Sequence, residues 1–140
     1  MSREIKFRAQ RTDTKEFVYG FYHEVEAEGV GYSYIFWQGN AIPVRADSVG
    51  QFTGLLDKNG KEIYEGDVIK WDDMSKGLYW RFAVVEMHPD ILFNCKFINE
   101  VNGIKNSANY IFRFGNFIYK DTHNHIEIIG NIYENPNLLK

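Results

Sequence analysis

Hydrophobic and polar positions alternate along much of this chain with the period of two that marks a half-buried β-strand. Over residues 4–10, Ile5, Phe7 and Ala9 fall on one face and Lys6, Arg8 and Gln10 on the other. Residues 11–15 (RTDTK) supply turn chemistry through Asp13 and two threonines. Alternation resumes over residues 16–24, with Phe17, Tyr19 and Phe21 opposite Val18, Gly20 and Tyr22, so the fold is expected to open with an antiparallel hairpin. A loop holding Gly29 and Gly31 leads to an aromatic strand over 32–37, a turn at 38–40 and a short strand over 41–46. Pro43 cannot donate to a ladder, which puts that strand at an edge or a bulge. Residues 47–52 read as one helical turn capped by Asp47 or Ser48.

The densest turn signals lie in residues 53–71, TGLLDKNGKEIYEGDVIKW. Asn59-Gly60, set between Leu55-Leu56 and Ile63-Tyr64, predicts a tight type I′ turn at the surface, since both residues tolerate positive φ. Gly66 between Glu65 and Asp67 predicts a backbone kink, and 67–71 a strand of mixed polarity. A calcium loop on Asp57, Asn59 and Glu62 is excluded, because the D-x-[DN]-x-[DN]-G spacing and its later glutamate are missing. After a polar loop at 72–77, strands are expected over 78–88 and 91–99 across a Pro89-Asp90 turn. A loop with a second turn signal at Asn102-Gly103 precedes a hairpin of 110–114 and 116–119 across Gly115. Residues 125–133 read as a closing apolar strand broken by Gly130, and Pro136 ends regular structure.

No long stretch combines helical periodicity with caps. The chain is therefore expected to be mainly β, with helix limited to short turns, as a small barrel or sandwich rather than βαβ units. Apolar residues are 44% and aromatics 16% of the 140 residues. That excludes disorder and is enough core for one domain, or for two small ones. The net charge of −3 removes a chain-wide basic footprint for nucleic acid but not a local patch. Cys95 is the only cysteine, so there is no intrachain disulfide, as suits a reducing cytosol. The N-terminal segment lacks an apolar signal core and no apolar run approaches a membrane span. A cytoplasmic protein with no membrane association is expected.

Three blocks, REIKFRA near the start, VGQFTGLLDKNGKEIYEGDVIKW in the middle and IEIIGNIYENPNLL at the end, resemble the YopX family. They span the chain from Arg3 to Leu139. The resemblance implies a protein encoded mainly by phages and prophages of Gram-positive bacteria. It also implies an N-terminal antiparallel β subdomain over 1–56 and a small SH3-type β-barrel over 57–140, closing with the strand 126–133. It implies no activity and carries over no catalytic residue. The central block is turn and kink chemistry at Asn59, Gly60 and Gly66, which speaks for fold rather than mechanism.

The chemistry-bearing residues form no coherent catalytic set. His123 and His125, two apart in a strand, would share a face and reach one metal. Zinc needs three or four ligands, and His23, His88 and Cys95 lie at no ordinary ligand spacing. An H-N-H nuclease site would need a ββα unit, and a strand follows here instead. Asp72 and Asp73 read as a solvated connector rather than a catalytic pair. Cys95 shares a strand face with Phe93 and Phe97, as a buried thiol does. No catalytic site, metal or cofactor is therefore expected. Trp71, Tyr79, Trp80, Phe82 and Tyr110, with Lys70, Lys76 and Arg81 nearby, make a candidate aromatic and basic face for single-stranded nucleic acid. Packing of those rings into a small β core is the simpler reading. The favoured function is a non-enzymatic β-rich binding module that self-associates and takes a protein partner. Nucleic-acid binding through Lys70, Trp71, Lys76, Tyr79, Trp80 and Arg81 is the alternative, and a metal-dependent hydrolase or nuclease the least favoured class.

Overall fold

A computed structural model of the chain describes residues 5–72, 80–87, 90–95, 111–114 and 122–139. Among them the protein is mainly β, in two antiparallel sheets, with helix confined to single turns. The chain divides into two compact units, Met1–Gly54 and Leu55–Lys140. No helix among the described residues is long and apolar enough to cross a membrane.

In the first unit, β1 (Phe7–Gln10), β2 (Phe17–Ala27), β3 (Val30–Trp37) and β4 (Asn40–Pro43) follow one another as a meander. The next strand, β5 (Gly50–Leu56), returns to the other side of β1, with Phe7 opposite Gln51 and Arg8 opposite Gly50. Pro43 ends the edge strand, where its missing donor costs no ladder bond. An isolated bridge between Arg11 and Val44 brings the end of β4 back to the end of β1, so the base of the sheet curls around Ala9, Val18, Ile35 and Val44. Gly20 is needed where β2 and β3 meet, since a Cβ there would stand 2.0 Å from the Phe36 carbonyl oxygen. The helical turn expected over 47–52 shrinks to a 3-10 turn at Ala46–Ser48 with no side-chain N-cap. Ser48 Oγ instead donates to the Arg45 carbonyl and accepts from Gln10 N–H. Pairing with β1 takes the remaining residues into β5.

The second unit starts with the end of β5 and its neighbour β6 (Glu62–Tyr64). Strands β7 (Asp67–Asp72), β8 (Trp80–Met87), β9 (Ile91–Cys95) and β10 (Ile111–Arg113) form a second meander. A helical turn, α1 (Thr122–His125), precedes β11 (Glu127–Asn131), which pairs with the free side of β7. The core gathers Ile63, Ile69, Trp71, Ala83, Val85, Ile91, Phe93, Cys95 and Ile126. Among the described residues this sheet does not close into a barrel. The expected turns at Pro89-Asp90 and Asn102-Gly103, and the hairpin across Gly115, lie wholly or partly outside the described residues.

The turn block departs from expectation in its details. Gly60 has φ +80°, but Asn59 is not in the left-handed region, so the turn is not type I′. It is organised by Asp57, whose side chain is fully buried rather than at the surface. Asp57 Oδ1 accepts from Asn59 N–H and Lys61 N–H, both at 2.9 Å, and Oδ2 from Ile128 N–H at 3.0 Å. Lys58 N–H reaches the Ile126 carbonyl at 2.8 Å, so this turn is stitched to the start of β11. Gly66 makes the predicted kink at φ +94°, where a Cβ would meet the Tyr133 ring at 2.9 Å. Asp67 Oδ2 fixes the same corner by accepting from Tyr64 N–H at 2.8 Å. At the far end, Asn131 Oδ1 accepts from Tyr133 and Glu134 N–H, so residues 132–134 turn instead of extending the strand. A 3-10 turn at Pro136–Leu139 follows, where regular structure was expected to have ended.

Replacing Asp57 strands three backbone donors at once. Asp57→Ala is expected to lower stability by about 3–5 kcal/mol. Asp57→Asn keeps one acceptor but turns an NH₂ toward Ile128 N–H, and is expected to cost about 2 kcal/mol. Urea denaturation of both variants checks the order, and an Ala variant as stable as the parent would refute the assignment.

Candidate functional site

The four described residues of the expected aromatic and basic face, Lys70, Trp71, Trp80 and Arg81, do not form one surface. Opposite residues of an antiparallel pair share a face. Trp71 is opposite Arg81, whereas Lys70 is opposite Phe82 and Asp72 opposite Trp80. Trp71 is fully buried in the core against Phe93 and edge-on to Phe112, with ring centroids 5.9 and 5.5 Å away. The Arg81 guanidinium lies 5.2 Å from the Phe112 ring centroid, on that same side of the sheet. The assignment of Trp71 to a binding face is thereby corrected: alternation in β7 sends it inward with Ile69. Lys76, Tyr79 and Tyr110 lie outside the described residues, as do Asp73, His88 and Phe97. The Cys95 thiol is buried in the core beside Phe93.

On the other side of β7 and β8, Lys70 Nζ stands 4.9 Å above the Trp80 ring. It also lies 3.6 Å from Glu127 Oε1, which Lys58 approaches at 3.1 Å. A pocket of about 280 Å³ here is lined by Lys58, Asp72, Trp80, Asn124, His125 and Glu127. One carboxylate thus engages both lysines, which leaves the pocket mixed in charge rather than basic. His123 and His125 lie in α1, not in a strand. Residues two apart on a helical turn point about 200° apart, so the expectation of a shared face fails. His123 is exposed beside Asn124, and His125 is half-buried. Among the described residues no group of three His, Cys, Asp or Glu side chains could hold a metal ion.

The most distinctive surface is one that sequence reasoning missed. In the β2–β3 hairpin Phe21 is opposite Phe36, His23 opposite Tyr34, Val25 opposite Tyr32 and Ala27 opposite Val30. Strand β4 adds Pro43 beside Tyr34 and Ala41 beside Phe36. These ten residues form one sheet face without a carboxylate, lysine or arginine. Phe21 is 67% exposed, and Val30, Tyr32 and Phe36 are each close to half exposed. The reverse side of the hairpin is acidic toward its tip, with Glu24 opposite Ser33 and Glu26 opposite Gly31. From His23 to Tyr32 every residue is exposed, so both faces of the ribbon meet solvent. A two-stranded ribbon without cover is only marginally stable in water. Two sequence signals mark this surface: apolar residues on both faces of β2, and no Lys or Arg between Lys15 and Arg45.

The YopX protein family model matches residues 6–140 of the chain. Among solved structures, the crystal structure of protein EF1440 from Enterococcus faecalis is similar. It is 24% identical, covering 99% of this chain and 100% of that chain, with a TM-score of 0.46. No curated protein matches the chain.

The two tryptophans of the expected face should behave differently. Trp71→Ala is expected to cost about 3–5 kcal/mol, as large-to-small changes in a packed core do. Trp80→Ala should cost about 1 kcal/mol, the scale of a lost cation–π contact. Urea denaturation of both variants checks this, and equal losses would contradict the opposite placement of the two rings.

Proposed function

We propose that this chain, which belongs to the YopX family, is a non-enzymatic β-rich binding module that self-associates and takes a protein partner. Its setting would be the cytoplasm of a bacterial host, as a phage or prophage accessory protein. The observation that carries the reading is the uncharged face of β2, β3 and β4, with Phe21 two-thirds exposed at its centre. Contiguous apolar patches of this kind mark interaction sites in soluble domains, and aromatic side chains are enriched at the centres of protein interfaces. A single, buried cysteine, Cys95, suits a reducing compartment.

The second unit is read as an SH3-type small barrel that starts near Asp57 and closes with the 126–133 segment. The support is its meander of β7 to β10, the return of β11 to β7 and the hydrogen bond from Ile128 N–H to Asp57 that ties its two ends. Nucleic-acid binding is the weaker alternative. It draws on Trp80, Lys58 and Lys70, but Glu127 and Asp72 bring carboxylates to the place where phosphate would sit.

Exposed side chains can be changed here without disturbing the core. The double substitution Phe21→Ser, Tyr32→Ser is expected to leave the far-ultraviolet circular dichroism unchanged. It should weaken self-association at least about tenfold, the scale of losing two aromatic anchors. Light scattering coupled to size exclusion, over a concentration series, reads the outcome. A parent protein that stays monomeric throughout, or a variant that assembles as the parent does, would count against this face.

A further inference from the structure

We infer that the occupant of the uncharged β2–β4 face is a second copy of this chain, packed face to face, and that His23 makes that contact depend on pH. The inference rests on the reading of this face as a self-association surface and goes further by giving the packing arrangement and its control.

Area and charge point to a second copy. Tyr19, Phe21, Val25, Val30, Tyr32 and Phe36 each leave between 39% and 67% of their surface uncovered. Since an aromatic side chain buries roughly 150–250 Å², these six would contribute roughly 500 Å² per copy. Two copies would therefore cover roughly 1,000 Å² from these residues alone, the lower bound for a specific interface. A two-fold contact brings the same patch against itself, so the patch must complement itself. An uncharged apolar sheet face does so without needing a counter-charge. The acidic residues Glu24 and Glu26 sit on the reverse side of the ribbon. Face-to-face packing at the usual sheet spacing of about 10 Å leaves them in water.

His23 is the exception on this face. It lies between Phe21 and Val25 on β2, opposite Tyr34 on β3, with its ring 5.7 Å from that of Phe36. Beside Tyr34, β4 contributes Pro43. Tyr34 and Tyr32 share this face with His23 from β3, and Tyr19 lies further along β2. No carboxylate shares the face to stabilise an imidazolium. Arg8, opposite Tyr19 on β1, lies further along this side and is itself cationic. A neutral imidazole can be covered by a second copy at modest cost, whereas an imidazolium would be desolvated without a counter-ion. Imidazole is the side chain that changes charge in this range. Assembly is thus favoured above neutrality and opposed below it.

The test is sedimentation equilibrium of the full chain at pH 7.5 and 5.5, with circular dichroism at each pH to confirm folding. Each proton that must be shed weakens assembly about tenfold per pH unit below the titration, and a dimer holds two such imidazoles. The dimer Kd is expected to rise about a hundredfold between pH 7.5 and 5.5 for the parent chain. For His23→Phe, which keeps the ring and removes the proton site, it should change by less than about threefold. Glu24→Gln with Glu26→Gln should keep the full pH dependence. A parent dimer with equal Kd at both pH values would overturn the role of His23 and leave the binding face standing. Persistence of the pH effect in His23→Phe would do the same. A chain that is monomeric at every pH would overturn both.

Discussion

The second unit depends on one buried carboxylate. Asp57 accepts hydrogen bonds from Asn59 and Lys61 within its own turn and from Ile128, 71 residues further along the chain. An ionisable group taken fully out of water is costly unless its lone pairs are met by donors, and three backbone N–H groups meet them here. The same contact satisfies donors that would otherwise be orphaned at the corner and at the start of β11. Local turn and distant strand are therefore fixed together. The last strand pairs with β7 while its start is bonded to the 57–61 turn. Asp67 and Asn131 repeat the device at two further corners, each with a side-chain oxygen on nearby backbone N–H groups.

This explains what could and could not be read from the amino-acid pattern. Alternation located β1 and β2 because period-two patterning is a direct image of the pleat. Gly66 was legible as a kink because it stands alone between polar residues at a strand start. Asp57 was misjudged as part of a surface turn: Asp-Lys-Asn-Gly has the composition of an exposed loop, and the donor from Ile128 that buries it lies far away in the chain. The same limit hid the start of β5, where residues 50–52 are held in the sheet by β1 and the residue before it. His125 was placed at the start of a strand because the apolar run beyond it is one; the helical turn that holds it carries no apolar period.

The candidate site shows a second kind of limit. The pattern in DVIKWD already separates Trp71 from Lys70, so the split of the expected aromatic and basic face was present in the residues. Which face of β2 and β3 is covered was not. Both faces carry apolar and aromatic side chains, and alternation cannot choose between two apolar faces. The core of the first unit takes Ala9, Val18, Ile35 and Val44 on the inside of the curl, with Phe7 and Tyr22 packed against them. Phe21, Tyr32 and Phe36 are left outside. In the second unit the large rings of Trp71 and Phe93 go inside instead. Similar aromatic content thus serves packing in one unit and exposure in the other, and only the register distinguishes them.

The central claim is that the β2–β4 face is covered when the protein is at working concentration. Amide hydrogen exchange across the β2–β3 hairpin, at low and at high protein concentration and at neutral pH or above, tests it most directly. A ribbon exposed on both sides opens readily when alone and is held shut when a neighbour packs on it. The account predicts that protection from His23 to Tyr32 rises with concentration while protection in β7 and β8 stays constant. Exchange in the hairpin that is fast and identical at both concentrations would contradict it.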